Sequence, residues 1–373
     1  MSVALFFVNV PMSFAQKEIM PFDVEAESAV LMDVGTGTVL YAKNPDEALP
    51  PASVTKVMTL LLVMEHIDSG KMKLSDMVPI SEYAASMGGS QVFLEPGEDI
   101  SCEDLLKSVV ISSANDGAVA FAEAVAGSEE AFVKRMNERA GELGMKSTRF
   151  ENATGLDDDT KDHKMSALDI ALVSRELILN HPDILKYSSI WMDSIRNGEF
   201  GLSNTNRLIR FYKGATGLKT GSTAKAGFCI SATAKRDGMH LIAVIMGAKT
   251  RDERNNAAKK LLDHGFASYS IYTHEKEKGK SIKVTKGEKE KVATYIDKAQ
   301  LLLPKEDLES VEIKKEYKKE LKAPVKKGDK VGEATFLVKG KEVLKTDILA
   351  KESVDKLSYG DILLRLLKSW FLR

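Results

Sequence analysis

The chain has 373 residues, 43% of them apolar, enough for one large domain and a smaller one. Its 53 basic residues against 54 acidic ones leave a formal charge of −1, which gives no footing for a nucleic-acid partner. The six histidines show no i,i+4 pair and no tight His/Cys/carboxylate cluster, so no metal is expected, and two isolated cysteines, Cys102 and Cys229, make no disulfide framework.

In chain order, the first stretch is SVALFFVNVPMSFA, a short apolar run closing on small residues, with Ala15 a cleavage point. Residues 1–15 therefore read as the back half of a secretory signal peptide. The customary Lys/Arg before the run is missing, so either the start lies upstream or the segment is an apolar arm. No other segment is long and apolar enough to span a bilayer.

From about 24 to 270, strand and helix signals mix. AVLMDVGTGTVLYAKN is a hairpin around Gly35 and Gly37, and PASVTKVMTLLLVMEHIDSG a helix ending at Gly70. Its run from Val57 to Met64 reads as core. LLKSVVISSANDGAVAFAEAVAG and MSALDIALVSRELILNH are two further apolar helical patterns. GFCISATAKRDGMHLIAVIMG is a second hairpin, turned at Asp237-Gly238, with Cys229 a small buried hydrophobe in its first strand. NNAAKKLLDHGFASY is the closing helix. Strands at both ends with helices between predict an α/β domain, an antiparallel sheet carrying helices.

Residues 275–350 are rich in Lys and Glu, with short apolar runs broken by Gly and Pro, and predict a small all-β domain with solvated faces. In the tail, 353–373, Ile362, Leu363, Leu366, Leu367, Trp370 and Phe371 recur at helical spacing, with Arg365, Lys368 and Arg373 mostly opposite. That predicts an amphipathic helix lying in a membrane surface.

The chemistry starts at PPASVTKVMT. Ser53 and Lys56 stand three apart at a helix start, so the amine reaches the hydroxyl. A serine needs a base to become a nucleophile, and burial beside the positive end of a helix lowers a lysine pKa enough to serve. The spacing alone is weak; Ser353 and Lys356 repeat it with no such setting. Two further triplets make the set specific: Ser113-Ala114-Asn115, before a small-residue helical run, and Lys219-Thr220-Gly221, on an apparent edge strand where Gly221 would let a substrate backbone come close. Ser-x-x-Lys, Ser-x-Asn and Lys-Thr-Gly in this order are the signature set of penicillin-binding proteins and serine β-lactamases.

The sequence resembles the D-alanyl-D-alanine carboxypeptidases, the low-molecular-mass penicillin-binding proteins with a β-lactamase/transpeptidase-like fold. YAKNPDEALPPASVTKVMT, GSQVFLEPGE, NATGLDDD, SALDIALVSREL, NTNRLI, GLKTGSTAKAG and KKLLDHGF look like family blocks in family order. The β domain and tail fit by layout. The resemblance implies Ser53 as the acylated nucleophile, Lys56 as its base and Ser113 as a proton relay between Lys56, Lys219 and the leaving amine. It implies Asn115 on the substrate amide, Lys219 and Thr220 on the terminal carboxylate region, and the Ser222 and Ser53 N–H groups as the oxyanion hole. Arg254, with Arg251 nearby, matches the arginine that binds the free carboxylate. The implied substrates are peptidoglycan stem peptides, with β-lactam antibiotics as covalent inhibitors, no cofactor, and a position at the outer face of the cytoplasmic membrane through the C-terminal helix. Thr216 and Met165 depart from the family pattern, touching fine specificity rather than the reaction.

Three readings compete. A β-lactamase of one class needs a Glu-x-x-x-Asn loop, which Glu151-Asn152 does not supply. A D,D-endopeptidase would share the motifs. A catalytically weak penicillin-binding scaffold would not be acylated. GLDDDTKDH, with Asp157 to Asp159 and His163, lacks a calcium-loop pattern and reads as a polar surface loop.

Overall fold

A computed structural model describes residues 22–158 and 160–360. The expected export segment lies outside the described residues, as does most of the expected C-terminal helix. The chain divides into two compact units, 22–267 and 268–360.

The first unit is built on a five-stranded antiparallel sheet. Its strands are β1 (Ser28–Asp33), β2 (Val39–Lys43), β3 (Ala215–Thr223), β4 (Gly227–Arg236) and β5 (Met239–Ala248), in the order β2-β1-β5-β4-β3. Both predicted hairpins form. At the first, Asp33 accepts hydrogen bonds from the Thr36 N–H and hydroxyl, and at the second Asp237 and Gly238 both take positive φ, the turn an Asp-Gly pair favours between twisted strands. β3 ends the strand order, so one of its edges is free.

Between β2 and β3 the chain runs through α1 (Lys56–Asp68), α2 (Cys102–Ile111), α3 (Asn115–Ala126), α4 (Glu129–Glu142) and α5 (Ala167–Asn180). α1 is buried at every position from Lys56 to Met64, as an all-round apolar helix must be, and packs between α3 and α5. A Leu→Ala change at Leu60 or Leu61, both 0% exposed, would cost about 2–5 kcal/mol. α5 covers one face of β1 and β5. On the other face α6 (Arg251–Ser268) brings Gly265 so close that a Cβ there would meet Leu241 and Leu31. The sheet is thus buried on both faces, and β1 is buried at all six positions.

Three local features differ from the sequence reading. Ser53 lies on a 3₁₀ turn, Ala52–Thr55, that precedes α1. The apolar pattern from Leu105 to Gly127 is two helices, broken at Ser112–Ala114, where Ser113 takes φ +64. α4 was not separated at all: only Phe132, Met136 and Ala140 are buried in a run otherwise dominated by charge, a stripe too sparse to stand out. Cys102 and Cys229 are both buried free thiols.

The second unit is strand-built. Five antiparallel strands run in the order Glu277–Lys278, Thr294–Ile296, Lys341–Ala350, Lys330–Val338, Val311–Tyr317. A three-stranded sheet joins Lys291–Val292, Ile282–Thr285 and Glu320–Lys322, and Tyr269–His274 pairs with Ala299–Pro304. Ile282, Val284, Val292, Ile296, Val331 and Ile348 fill one apolar cluster, and Leu301, Leu303 and Phe336 lie in another. Val354, where the tail helix was expected to begin, instead bridges to Val325 and is buried in the first cluster. Ser353 accepts the Lys327 N–H, so the second Ser-x-x-Lys copy is part of a β scaffold. No helix among the described residues is long and apolar enough to cross a membrane.

Candidate active site

The three motifs meet where the start of α1, the break between α2 and α3, and the free-edged strand β3 come together. The 3₁₀ turn matters here, because residues i and i+3 eclipse one another in that geometry. Lys56 Nζ sits 3.0 Å from Ser53 Oγ. The amine also reaches Asn115 Oδ1 at 2.5 Å and the Thr154 carbonyl at 2.8 Å. Lys56 is completely buried, and burial first, then the charge of Lys219, pulls its pKa well below 10.5. Of the burial and helix dipole that the sequence reading invoked, burial is the leading cause, and the charge of the second lysine adds to it.

Lys219 lies on β3, 1% exposed. Its Nζ donates to Ser113 Oγ at 2.7 Å and to the Thr220 carbonyl at 2.9 Å. Burial, with Arg254 second, holds its pKa down to about 7. Among the described residues Ser113 is hydrogen-bonded to Lys219 rather than to Lys56. Thr220 donates its hydroxyl proton to Thr205 Oγ1 at 2.7 Å.

Arg254 and Arg251 part company. Arg251 is exposed, whereas Arg254 is 3% exposed, and among the described residues its guanidinium bonds the neighbouring Asn255 Oδ1, at 3.1 and 2.9 Å. Burial lowers its pKa to about 10. With Lys56 and Lys219 it makes a buried group of three bases. Asp116, 0% exposed, is the carboxylate whose charge acts back on Lys56. A site so constituted favours an anion.

Gly221 was expected to admit substrate. The close approach it permits is one the chain makes to itself: an added Cβ would lie 2.8–2.9 Å from Ser53 N, Pro51 O and Val54 N. The Ser53 turn rests on β3 at Gly221, which has no side chain to hold it off. Ser222 follows, exposed, toward the end of the strand.

Several contributors were not singled out from sequence. In the Asn-Ala-Thr-Gly block, Asn152 Oδ1 accepts the N–H groups of Thr154 and Gly155, shaping the turn that aims the Thr154 carbonyl at Lys56. Thr59 on α1 ties to the Ala153 carbonyl. The loop before Val92 supports Asn115: the Gly88 carbonyl accepts from its amide and the Ser90 carbonyl from its backbone N–H, both at 2.7 Å. Every other residue offers the same carbonyl, so only the quoted blocks hinted at these.

His163, set aside as surface, is 7% exposed and accepts the Glu151 N–H on Nδ1. Its Nε2 therefore carries the proton and donates it to Thr55 Oγ1 at 2.8 Å. Burial lowers its pKa to about 4, so it braces the turn beside Ser53 as a neutral ring. Asp157 is likewise engaged, accepting the Thr223 hydroxyl proton at 2.5 Å. Thr216 meets Thr233 and His240, and Met165 is a buried bridge partner of Leu49. Glu151, the β-lactamase candidate, turns its carboxylate to the Lys161 N–H.

Comparisons with known proteins identify the family. The family model described as D-alanyl-D-alanine carboxypeptidase matches residues 13–250, and that described as penicillin-binding protein 5, C-terminal domain, matches residues 266–356. The D-alanyl-D-alanine carboxypeptidase DacF of Bacillus subtilis (strain 168) is 43% identical over 354 residues, 93% of this chain and 90% of that protein. Penicillin binding protein 5 from Haemophilus influenzae superposes with a TM-score of 0.78 at 31% identity, over 91% of this chain and 100% of its own. Penicillin-Binding Protein D2 from Listeria monocytogenes, in its ampicillin-bound form, gives a TM-score of 0.58 at 33% identity over 65% of this chain and 98% of its own. With motifs, fold and full-length relatives in agreement, the chain belongs to the D-alanyl-D-alanine carboxypeptidase family, carrying the C-terminal domain of penicillin-binding protein 5 behind its peptidase domain.

Proposed function

We propose that this serine-type D-alanyl-D-alanine carboxypeptidase removes the terminal D-alanine of peptidoglycan stem peptides, with Ser53 as nucleophile and Lys56 as its base. The observation that carries the reading is a completely buried amine, held below its ordinary pKa, 3.0 Å from a serine hydroxyl at the start of a buried helix. A neutral Lys56 takes the Ser53 proton as Oγ bonds to the carbonyl carbon between the two D-alanines. The C–N bond then breaks, and the proton passes to the departing amine, with Ser113 and Lys219 as the relay. Water adds to the acyl-serine ester, gives its proton to Lys56, and the ester bond breaks, returning the proton to Ser53.

The N–H groups of Ser53 and Ser222 serve as the oxyanion donors, worth about 3–4 kcal/mol when one is lost. Asn115 orients the substrate amide, exchanging for it the bond it now shares with Lys56. Lys219 and Thr220 receive the terminal carboxylate region, and buried Arg254 supplies the fixed cation that suits a free carboxylate. Gly221 keeps the Ser53 turn seated on the strand along which the substrate lies. The scheme needs neither metal nor organic cofactor.

A β-lactam offers the same carbonyl to Ser53 with a leaving group that stays tethered, so it acylates the enzyme and is released slowly. The substrate class puts the enzyme's work outside the cytoplasmic membrane. Residues 1–15 as an export signal and the amphipathic run from Ile362 to Phe371 as an anchor on the outer face of that membrane complete the reading.

The test is mass spectrometry after brief exposure to benzylpenicillin, followed by assay of D-alanine release from a peptide ending in D-Ala-D-Ala. One drug mass on Ser53, absent from Ser53→Ala, is expected. Absence of the adduct from the parent would overturn the assignment, and fast turnover of the drug would favour a β-lactamase.

A further inference from the structure

Phe93 carries its ring into solvent, 67% exposed, between Val92 and Leu94, which are 0% and 4% exposed. Its φ is +55, a region that a bulky aromatic residue enters only under constraint. The constraint is visible on both sides of the backbone. From within, the Asp116 carboxylate accepts the N–H groups of Val92 and Leu94, each at 3.1 Å. From without, the Arg196 guanidinium donates to the carbonyls of Val92 and Phe93, each at 3.0 Å, and is itself paired with Glu98 at 2.7 Å. The main chain is held fast, yet the side chain it displays stays largely in solvent among the described residues. Its aromatic neighbour is Phe200, edge-on at 6.3 Å.

Both rings stand on segments that run into the active site. The Phe93 loop is the one whose Gly88 and Ser90 carbonyls hold Asn115. Phe200 opens a short strand, Phe200–Ser203, that leads within two residues to Thr205, the hydrogen-bond partner of Thr220. The two rings are thus carried on segments that also hold the site's residues, and the Arg196 guanidinium, over the Phe200 ring at 5.8 Å, is paired with Glu98. A strained backbone kept in place to present an apolar ring next to reacting groups points to contact with a ligand.

We propose that Phe93, backed by Phe200, is a specificity-determining residue: it packs against the aliphatic portion of the stem peptide on the acyl side of the scissile bond, the residues that precede D-Ala-D-Ala. The inference rests on the carboxypeptidase reading and extends it to the substrate's remote end. Binding energy from such a remote part favours a long substrate over a truncated one.

The experiment compares kcat/KM for D-alanine release from a stem pentapeptide and from N-acylated D-alanyl-D-alanine, with benzylpenicillin acylation and Tm alongside, in the parent, Phe93→Ala and Phe93→Gly. Both variants are expected to lower the pentapeptide-to-dipeptide ratio about five- to tenfold, the scale of one lost aromatic contact. The dipeptide and benzylpenicillin rates should stay within about twofold, and Phe93→Gly should melt no lower than the parent, because glycine accepts positive φ freely. An unchanged ratio overturns the proposal. So does an equal loss on every substrate, which would make the residue a support for Asn115, or a defect in Phe93→Ala that Phe93→Gly lacks, which would trace it to the backbone. A parent that releases D-alanine from neither peptide would remove the carboxypeptidase reading and this proposal with it, whereas a flat ratio on an active enzyme removes this proposal alone.

Discussion

In the peptidase unit, Lys56 and Lys219 are sealed from water, and their pKa values fall because burial penalises the ammonium form. In the β unit, Lys330 and Lys345 stand in solvent, and their pKa values rise because Asp347 with Glu333, and Glu342 with Glu333, hold the proton on. The same side chain is pushed toward the free amine in one unit and held as a solvated cation in the other. What differs is the number of carboxylates and waters within reach. The peptidase unit gives up stability to keep amines dry, and the β unit does nothing of the kind.

The strongest way to break that contrast is Lys56→Met. It should cut the rate of acylation by benzylpenicillin about 10³-fold or more while leaving Tm equal or higher, because a buried base is replaced by an apolar chain of similar length. A fall in both would mean that Lys56 is structural. Gly221→Ala comes next. Its Cβ would press on backbone atoms of the Ser53 turn, which cannot yield as a side-chain tip could. Acylation should drop about 10²-fold and stability by about 1–3 kcal/mol, read from drug binding and chemical denaturation.

The contrast can be sharpened by pH. The folded pKa of Lys219 is about 7 against an ordinary 10.5, so between those values the folded state binds fewer protons than the unfolded one. Stability must then climb as pH rises from about 7 to about 10, the full penalty being present below that window. Denaturation curves across it should show the climb, and Lys219→Met should flatten it and gain about 1–4 kcal/mol at neutral pH. An unaltered slope would mean that Lys219 stays protonated when buried. The smallest effect belongs to the β unit: Lys330→Ala, which removes an exposed ion-paired lysine, should shift Tm by no more than about 2 °C and leave acylation untouched.

Much of this was legible because the signals were local. Asp237-Gly238 specifies its own turn, and the burial of α1 from Val57 to Met64 follows from a run in which Thr59 is the single polar residue. The motif triplets were readable because their chemistry lies in side chains. The break at Ser112–Ala114 was not, since helical periodicity continues straight across it. It is marked by two backbone bonds outside the helical ladder, a local one from the Ala114 N–H to the Ser108 carbonyl and a long-range one from the Asn115 N–H to the Ser90 carbonyl. The 3₁₀ turn under Ser53 and the carbonyls of Thr154, Gly88 and Ser90 were hidden for a related reason: backbone groups carry no letter in a sequence. His163 was misplaced because a polar loop on paper folds its imidazole inward, toward Thr55.

Gly221 also bears on how such a protein drifts over generations. All nineteen alternatives carry a Cβ, and the space it would need is taken by Pro51, Ser53 and Val54. No amino-acid replacement there leaves the Ser53 turn undisturbed. The position is fixed by what its neighbours already occupy, and a lineage could vary it only by first moving that turn, losing the reaction on the way.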